Sequence, residues 1–95
     1  MQDDDFEWDD VKAASNEVKH NITFDMARLA FRDSFAVEWP EDVLDEYEQR
    51  FALLGMSSDR LLAVAYTMRE SRIRIISARR AEPFERRRYH NENAT

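Results

Sequence analysis

The sequence predicts one α+β domain: a twisted antiparallel sheet, two N-terminal helices packed on one face of it, and a short C-terminal helix. Three observations lead to this fold class. Apolar residues recur at helical spacing over roughly the first third of the chain, and from residue 34 onward they follow strand-like patterns. The connections between the later strands are short, which favours an antiparallel meander. A length of 95 residues fits a single domain over residues 1–95.

The N-terminal part is predicted to form a short strand and a first helix. The strand covers residues 6–8, and the helix covers residues 10–20 with Asp9 as its N-cap. Asn21 ends the helix, because asparagine tolerates the left-handed conformation of a C-cap. The side expected to be buried carries Val11, Ala14 and Val18. The polar side carries Lys12, Asn16, Lys19 and His20.

A second helix and a strand follow. Thr23 is the predicted N-cap of a helix over residues 24–32. Its buried stripe is expected to be Met26, Ala27, Ala30 and Phe31. Apolar and polar residues then alternate over residues 35–39, which predicts a strand that stops at Pro40. The acidic residues 41–48 are predicted to form a connection or a short helical turn.

The rest of the chain predicts three strands and a helix. Residues 51–56 and 61–68 are strand candidates joined by a turn at 57–60, and residues 72–79 form the next strand after a tight connection. The last helix is predicted over residues 82–91, with Pro83 in its first turn. Residues 1–5 and 91–95 are expected to be frayed.

Charge is distributed unevenly along the chain. The net charge is -6, but residues 1–50 hold 15 acids and 5 bases (net -10), and residues 51–95 hold 5 acids and 9 bases (net +4). Twelve of the fourteen bases are arginine, and seven of these lie between Arg72 and Arg88. Because guanidinium groups match phosphate, this stretch is predicted to bind a polyanion. The alternative is that these arginines pair with the protein's own acids.

Composition excludes several kinds of site. With no cysteine there is no disulfide, thiolate metal site or thiol nucleophile, and with two histidines a multi-histidine metal centre is not expected. No cofactor is expected either, since a chain of this size has no room for a separate cofactor domain. A single glycine excludes a Gly-rich phosphate loop.

The longest apolar run, residues 61–66, is far too short to span a bilayer. The acidic start does not have the pattern of a signal peptide, so cytoplasmic residence is expected.

The candidate site lies on the last strand and the last helix. Because side chains alternate along a strand, one face is expected to carry Arg72, Arg74, Ile76, Ala78 and Arg80. The other face is expected to carry Ile73, Ile75, Ser77 and Arg79. Spacings of three and four place on one side of the helix Glu85, Arg88 and Tyr89. A carboxylate, several guanidinium groups and a phenol are therefore predicted to converge on one concave edge.

This set has the parts that cleavage of an RNA phosphodiester needs: a base for the 2′-hydroxyl, an acid for the leaving oxygen, and cations for the charge on phosphorus. Glu85 or His20 is the candidate base, and Arg79 with Arg80 is the candidate charge clamp. Such an attack requires no metal. The structural alternative is that Glu85 pairs with an arginine of the same cluster and that Tyr89 packs against the sheet.

Several other residues have two interpretations. His20, beside Lys19, is either a phosphate contact or proton carrier, or a cation stabilised by the helix dipole. Tyr66 and Trp39 either stack on bases of single-stranded RNA or belong to the core. The arginines at 86–88 either contact RNA or lie on a solvated surface. Acidic runs repel phosphate, so they are expected to face away from RNA or to attract a basic partner.

Several segments together resemble the BrnT toxin family of bacterial type II toxin–antitoxin systems. In the first part of the chain they are FEWD at 6–9, KA at 12–13, Asn16, KH at 19–20 and TF at 23–24. In the last part they are RIRIISARRA at 72–81 and ERRRY at 85–89. The similarity spans nearly the whole chain and is least informative from Ser34 to Glu48.

The resemblance implies a compact fold like that of the RelE ribonuclease toxins, cleavage of RNA that stops translation, and an antitoxin called BrnA. Such an antitoxin typically carries a ribbon-helix-helix DNA-binding domain, dimerises, and represses its own operon with the toxin bound. The family therefore suggests a heterotetramer of two toxins and two antitoxins that contacts operator DNA only through the antitoxin. No membrane partner is expected.

The same resemblance selects candidate residues. The positions that match the family's signature segments are Lys19, His20, Arg79, Arg80, Glu85 and Tyr89. From their chemistry the predicted catalytic residues are His20, Arg79, Arg80, Glu85 and Tyr89. The predicted RNA-binding residues are Lys19, Arg72, Arg74, Arg86 and Arg88.

The chain departs from the family pattern in three places. Asn21 stands where the family usually has glycine, and Met26 follows Asp25 where the family often has further acids. The sequence pI is near 4.9, whereas such toxins tend to be basic, and a negative net charge weakens nonspecific attraction to RNA. Two other hypotheses therefore stand beside the RNA endonuclease. One is a catalytically weak antitoxin-binding module that acts as co-repressor of its own operon, and the other is a nucleic-acid-binding or interaction domain unrelated to toxicity.

Overall fold

The computed structural model describes residues 1–41 and 48–94. Within them the chain forms three helices and a five-stranded sheet, which confirms the predicted α+β class. In chain order the elements are β1 (Phe6–Glu7), α1 (Asp10–His20), α2 (Phe24–Ala30), β2 (Val37–Glu41), β3 (Arg50–Ser57), β4 (Arg60–Arg69), β5 (Arg72–Arg80) and α3 (Pro83–Asn93). Most of the predicted connection at 41–48 lies outside the described residues. None of the described helices is long and apolar enough to cross a membrane.

The helix caps are those that the sequence predicts. The Asp9 side chain accepts the N–H groups of Val11 and Lys12, and Asn21 takes the left-handed conformation, with φ 56°. The Thr23 side chain accepts the N–H of Met26 at the start of α2. These short-range hydrogen bonds satisfy backbone groups that a helix end leaves without partners. They fix both ends of α1 and the start of α2, whereas α2 ends at Ala30, two residues before its predicted end.

The sheet has the order β1-β5-β4-β3-β2. The later strands pair antiparallel in sequence order, as the short connections predict, and β1 pairs parallel with β5 at one edge. Two-residue turns join β3 to β4 and β4 to β5. In the second turn Glu70 and Ser71 both have positive φ, 51° and 72°, which matches the twist of a tight hairpin.

Helix α2 packs on what we call the first face of the sheet, as predicted, whereas α1 lies along the edge of β5. The core there combines Phe24, Ala27 and Ala30 of α2 with sheet residues Leu53, Leu62, Val64, Tyr66 and Ile75. Gly55 lets α2 approach β3 closely, because a Cβ at this position would collide with the carbonyl oxygen of Ala30. The opposite, second face carries a smaller cluster of Leu54, Leu61, Ala81 and Tyr89. Helix α3 contributes Tyr89 and thus covers part of the second face.

The buried side of α1 differs from the prediction. Val11 and Val18 are 79% and 90% exposed, whereas Asn16, assigned to the polar side, is only 8% exposed. The reason is that α1 lies against the edge of β5 rather than over an apolar surface. There the Asn16 amide donates to the carbonyl of Ala78 and accepts its N–H. The prediction of an apolar stripe at 11, 14 and 18 is therefore wrong.

Strand β2 also differs from the prediction, because it starts later and continues through Pro40 to Glu41. Phe35, the predicted first residue, precedes the strand and is 60% exposed. Proline is tolerated here because β2 is an edge strand and needs no N–H bond on its outer side. At the other end of the chain, α3 continues to Asn93, two residues beyond its predicted end. Fraying of the two termini stays a prediction.

A bulge in β5 changes which side chains share a face. Tyr66 of β4 pairs with Ile75, but the preceding Ala65 pairs with Ser77, so Ile76 is an extra residue. Paired residues of an antiparallel ladder lie on the same face. The first face therefore carries Ile73, Ile75, Ala78 and Arg80, and the second face carries Arg72, Arg74, Ser77 and Arg79. The predicted alternation is wrong beyond Ile75, because a simple period of two cannot include the inserted residue.

Candidate active-site groove

A groove of about 270 Å³ lies on the second face of the sheet beside α3. Small side chains on neighbouring strands make it concave, and they include Ala52, Ala63 and Ala65. The polar and charged residues that line it are Glu41, Arg50, Ser77, Arg79 and Glu85. Trp39 of β2 forms part of the wall. We call this hollow the central groove.

Arg79 and Glu85 form the main ion pair of the central groove. The guanidinium Nη1 and Nη2 lie 2.7 and 3.1 Å from the two carboxylate oxygens of Glu85, a bidentate arrangement. Nη1 also donates to the carbonyl of Arg80, at 3.2 Å. These bonds leave part of the guanidinium's N–H donors available to a ligand. The Arg79 side chain remains 38% exposed while that of Glu85 is 7% exposed. The pair thus exposes the Arg79 guanidinium in a fixed orientation, with the Glu85 carboxylate buried behind it.

Glu85 is held in place by the start of α3. Its carboxylate accepts the backbone N–H of Glu82 at 2.8 Å, as part of a capping box. Burial raises the pKa of Glu85, but the hydrogen bond from Arg79, the backbone N–H of Glu82 and the charge of Arg79 outweigh it, so the pKa is lowered. A carboxylate with a lowered pKa and engaged oxygens is a weak proton acceptor. This geometry favours Glu85 as the group that orients Arg79.

Arg79 remains a cation over the whole working range of pH. The hydrogen bond from Arg79 to Glu85 raises the pKa of Arg79, and the nearby charges of Glu85, Glu82 and Glu41 add to the effect, against a smaller lowering by burial. The influence of Glu41 is consistent with its place in the same groove. Arg79 therefore offers permanent positive charge at a concave site.

A second hollow, of about 210 Å³, lies between α1 and β5. It is lined by the amines of Lys12 and Lys19 and by the imidazole of His20. Ile76 and Ser77 line both this α1 hollow and the central groove, so the two are adjacent across the bulge. The structure thus brings His20 and Lys19 to one side of Ser77 and Arg79 to the other. The exposed Ser77 is the link between them.

Tyr89 lies outside the central groove. It is 7% exposed and packs with Leu54, Leu61 and Ala81. Its hydroxyl donates to the Asp33 carboxylate at 2.7 Å. Burial, the hydrogen bond and the negative charge of Asp33 raise the pKa of Tyr89 to about 12. Such a phenol is a poor proton donor near neutral pH, so its contacts favour a structural role in docking α3.

The predicted arginine cluster is spread over several places. Arg79 lines the central groove, but Arg80 pairs with Leu62 and therefore lies on the first face. Three others are engaged elsewhere: Arg74 with Glu7 at 2.8 Å, Arg72 with the carbonyl of Asp3 at 2.8 Å and with Glu70 at 3.8 Å, and Arg88 with Glu92 at 3.4 Å. Arg86 is exposed on α3. The arginines therefore do not converge on a single hollow, contrary to the prediction.

The two aromatic candidates differ in their surroundings. Tyr66 is in the first-face core, packed against the rings of Phe31 and Phe51, and its hydroxyl donates to Glu38. Burial and that contact raise its pKa. The core interpretation is confirmed for Tyr66. Trp39 is half-buried, packs against the second-face cluster and also lines the central groove.

Sequence reasoning missed three polar residues near the site: Lys12, Glu41 and Arg50. Glu41 and Arg50 are cross-strand partners of β2 and β3, so they lie side by side on the second face. The sequence carries a signal for Lys12, which shares one side of α1 with Asn16, Lys19 and His20. No sequence signal places Arg50 beside Glu41, because their proximity depends on the register of β2 on β3, which no local pattern sets. Among the described residues no group of three or more His, Asp or Glu is arranged to hold a metal ion.

Comparison with known proteins decides the family. A family model described as the ribonuclease toxin BrnT of type II toxin–antitoxin systems matches residues 8–85, well over half of the chain. The chain belongs to the BrnT family. A search of curated proteins found no match. The matched range includes α1, the bulge and the Arg79–Glu85 pair, so every residue that lines the two hollows lies within the BrnT match.

BrnT membership also fixes the general setting. The family is one of ribonuclease toxins, and a toxin of a type II system has a protein antitoxin as its partner. The resemblance stated from the FEWD, IISAR and ERRRY segments is thereby confirmed. The family model ends at residue 85, so Tyr89 and the arginines at 86–88 lie beyond the match.

Proposed function

We propose that this BrnT chain is an RNA endonuclease that cleaves RNA without a metal ion and thereby inhibits translation. The observation that supports the proposal is the oriented Arg79 guanidinium, held by Glu85 in a concave groove next to the α1 hollow with Lys19 and His20. A fixed cation at a developing negative charge is the commonest large contribution to catalysis. Family membership makes RNA the expected substrate.

The reaction proposed is an internal transfer. The RNA 2′-hydroxyl gives its proton to the His20 imidazole, and its oxygen attacks the adjacent phosphorus. The bond from phosphorus to the 5′-oxygen breaks, and that oxygen takes a proton from solvent. The products are a 2′,3′-cyclic phosphate and a free 5′-hydroxyl. No metal ion is needed, because the nucleophile is part of the substrate and Arg79 stabilises the charge on the phosphoryl oxygens.

The roles of the other predicted residues follow from where they lie. Lys19 is proposed to bind a phosphate beside His20, and Glu85 to hold Arg79 in place. Tyr89 is proposed to anchor α3 rather than to exchange a proton. Arg80 and Arg86, exposed and without an ion pair among the described residues, are proposed to contact the RNA backbone outside the central groove.

The engaged arginines have a smaller proposed role. Arg72 and Arg74 hold the N-terminal segment against β5 through Asp3 and Glu7, and their contact with RNA is proposed to be secondary. Arg88 is proposed to act indirectly, because its guanidinium packs on Trp39, which forms part of the groove wall. These assignments differ from the sequence-based roles because four of the guanidinium groups already pair with an acid of the same chain.

The proposed partner is a BrnA-like antitoxin with a ribbon-helix-helix DNA-binding domain. We propose that two toxins and two antitoxins assemble in the cytoplasm and that operator DNA is contacted through the antitoxin alone. A protein antitoxin follows from the family, and its basic residues would complement the acidic first half of the chain. Co-expression of the adjoining small gene should relieve growth arrest.

The test uses purified protein and single-stranded RNA in excess chelator. We expect cleavage that yields 2′,3′-cyclic phosphate ends and that is lost in His20→Gln. The matched control is His90→Gln, which changes the chain's other histidine, an exposed residue of α3. Equal activity of both variants would contradict the role of His20. Cleavage that stops in chelator would contradict metal independence.

A second candidate function is a catalytically weak antitoxin-binding module that acts as co-repressor. It is favoured by the net charge of -6 and by the ion pairs that engage Arg72, Arg74, Arg79 and Arg88. The same assay separates the two. Absence of RNA cleavage at low salt, together with a tight antitoxin complex, would replace the ribonuclease proposal by this one.

A further inference from the structure

Trp39 stands in the wall of the central groove with one side of its ring already covered. The Arg88 guanidinium carbon lies 3.8 Å from the centre of the indole ring, a cation–π contact. Arg88 does not belong to the lining of the groove, whereas Trp39 does. The indole surface that lines the groove is therefore a different one from that which Arg88 covers. The cross-strand partner of Trp39 is Ala52, whose small side chain leaves space in front of the indole.

Glu41 and Arg50 mark the end of the central groove that lies next to Trp39. They are cross-strand partners, and both line the groove. Glu41 is two residues beyond Trp39 in the same strand, so the two side chains share a face. A carboxylate here repels phosphate, whereas Arg79 and Ser77 at the other side attract it. The groove therefore has one part suited to a phosphate and another suited to a neutral group that donates and accepts hydrogen bonds.

The dimensions of the groove fit part of a polymer better than a free small molecule. Its volume of about 270 Å³ is at or below the lower end of pockets that bind small ligands, which span roughly 300–1,000 Å³. An aromatic ring beside a phosphate-binding cation is the arrangement by which proteins hold an unstacked base of a single strand. The chemistry of the groove thus matches one nucleotide of a chain.

We propose that Trp39, Glu41 and Arg50 form a base-binding subsite that takes a guanine next to the phosphate held by Arg79. The base stacks on the indole. The Glu41 carboxylate accepts the guanine N1–H and exocyclic N2–H, which are adjacent donors, and the Arg50 guanidinium donates to O6 or N7. Uracil offers no exocyclic amino group to Glu41 and is disfavoured. This inference rests on the proposed function, since it assigns sequence preference to the same groove.

The test measures binding apart from cleavage. The probes are fluorescein-labelled hexamers of 2′-O-methyl guanosine, adenosine, cytidine and uridine, used at low strand concentration in a lithium buffer so that the guanosine strands do not form quadruplexes. Because they lack a 2′-hydroxyl, they cannot be cleaved by the proposed reaction. We expect the guanosine hexamer to bind about tenfold more tightly than the uridine hexamer, the discrimination of one well-formed bidentate contact. Fluorescence anisotropy gives the dissociation constants.

Variants separate stacking from packing. Trp39→Leu keeps apolar bulk against the second-face cluster but removes the aromatic surface, and it should weaken binding of the guanosine hexamer at least about fivefold. Trp39→Phe should restore most of that loss. Glu41→Gln should lower the ratio of guanosine to uridine affinity, because loss of the phosphate-repelling charge affects both strands alike and loss of the guanine acceptor affects only one. Phe35→Ala, which removes an exposed aromatic side chain outside the groove, is the matched control.

Trp39 also provides a direct signal. Trp8 is the chain's other tryptophan and is buried in the first-face core, so in a Trp8→Phe protein Trp39 alone reports on binding. We expect saturable quenching of its fluorescence by the guanosine hexamer. Cleavage of RNA without quenching, or equal affinity for all four hexamers, would overturn the base-binding subsite and leave the ribonuclease proposal intact. Quenching and guanosine preference without cleavage of ordinary RNA would support the subsite and contradict the ribonuclease proposal.

Discussion

At the scale of single residues, Asn16 determines how the two hollows meet. Its amide nitrogen donates to the carbonyls of Ile22 and Ala78 at 2.9 and 2.8 Å, and its oxygen accepts the Ala78 N–H at 3.1 Å. Strand β1 pairs with β5 only at Ile73 and Arg74. Asn16 therefore takes the place of a neighbouring strand at Ala78, and it fixes α1, with His20, beside the bulge.

Replacement of Asn16 tests this role. Asn16→Ala leaves buried backbone groups of Ala78 and Ile22 without partners, so we expect the free energy of unfolding to fall by at least about 2 kcal/mol. Val18→Ala, on the exposed side of the same helix, should change it by less than about 0.5 kcal/mol. Urea denaturation measures both. Similar values for the two variants would contradict the account of the β5 edge.

At the scale of elements, α3 is held by polar contacts at three points along its length, one with β5 and two with the segment between α2 and β2. Glu85 bonds Arg79 near its start, Tyr89 bonds Asp33 in the middle, and Asn93 donates to the carbonyl of Phe35 at 2.9 Å near its end. Burial raises the pKa of Asp33, but the N–H groups of Met56 and Phe35 and the Tyr89 hydroxyl outweigh it, so this pKa is lowered. Two ionised carboxylates thus fasten the helix that carries one wall of the groove.

This fastening predicts a dependence of stability on acid. The pKa values of Asp33 and Glu85 are both lowered by folding, so their contribution is complete above the ordinary values of 3.8 and 4.5 and is lost as pH falls through the lowered values. We expect the Asp33→Asn, Glu85→Gln double variant to lose less unfolding free energy between pH 6 and pH 3 than the unchanged chain. At about pH 6 the contribution is complete, and at about pH 3 part of it is lost.

The control for the acid experiment is Asp59→Asn, which changes an exposed carboxylate in the turn between β3 and β4. Its pH dependence should follow that of the unchanged chain. Urea denaturation at each pH supplies the values. If the double variant loses as much stability on acidification as the unchanged chain, the two carboxylates do not fasten α3.

The elements also separate what a sequence can predict from what it cannot. Asp9, Thr23 and Asn21 set helix ends through contacts within a few residues, and local chemistry of this kind is readable in advance. The bulge at Ile76 depends on how β4 and β5 pair over a long stretch, and no residue type marks it. One inserted residue moves Arg79 to the face of Arg74. The buried side of α1 is not readable for a related reason, since the helix packs on a strand edge and not on an apolar core.

At the scale of the whole molecule, net charge and local charge have opposite signs. The chain carries -6, with most of its acids in the first half, and several arginines are neutralised by ion pairs. Attraction to RNA therefore depends on a few cations around Ser77, with little help from the overall field. The family can be recognised from the sequence because its segments are distinctive. The groove cannot be predicted in this way, because its lining depends on how four strands are aligned with one another.

This charge distribution predicts a weak dependence of RNA binding on salt. Each phosphate contact to a single strand contributes a slope of about -0.7 to the plot of log affinity against log salt, so a few contacts give a slope no steeper than about -3. Arg79→Ala should reduce the slope by about 0.7, whereas Arg32→Ala, an exposed arginine after α2, should leave it unchanged. Anisotropy of a labelled uncleavable RNA in increasing NaCl measures it. A slope much steeper than about -3 would contradict this prediction and would indicate that RNA binds a broad basic surface.

The most direct measurement is the single-turnover rate of RNA cleavage by three folded variants. Arg79→Ala should lose at least about 100-fold, since it removes the charge that stabilises the transition state, and Glu85→Gln should lose about tenfold because it only positions that charge. Arg32→Ala should match the unchanged chain. Rates for Arg79→Ala that equal those of Arg32→Ala would contradict the assignment of the Arg79–Glu85 pair as the catalytic centre.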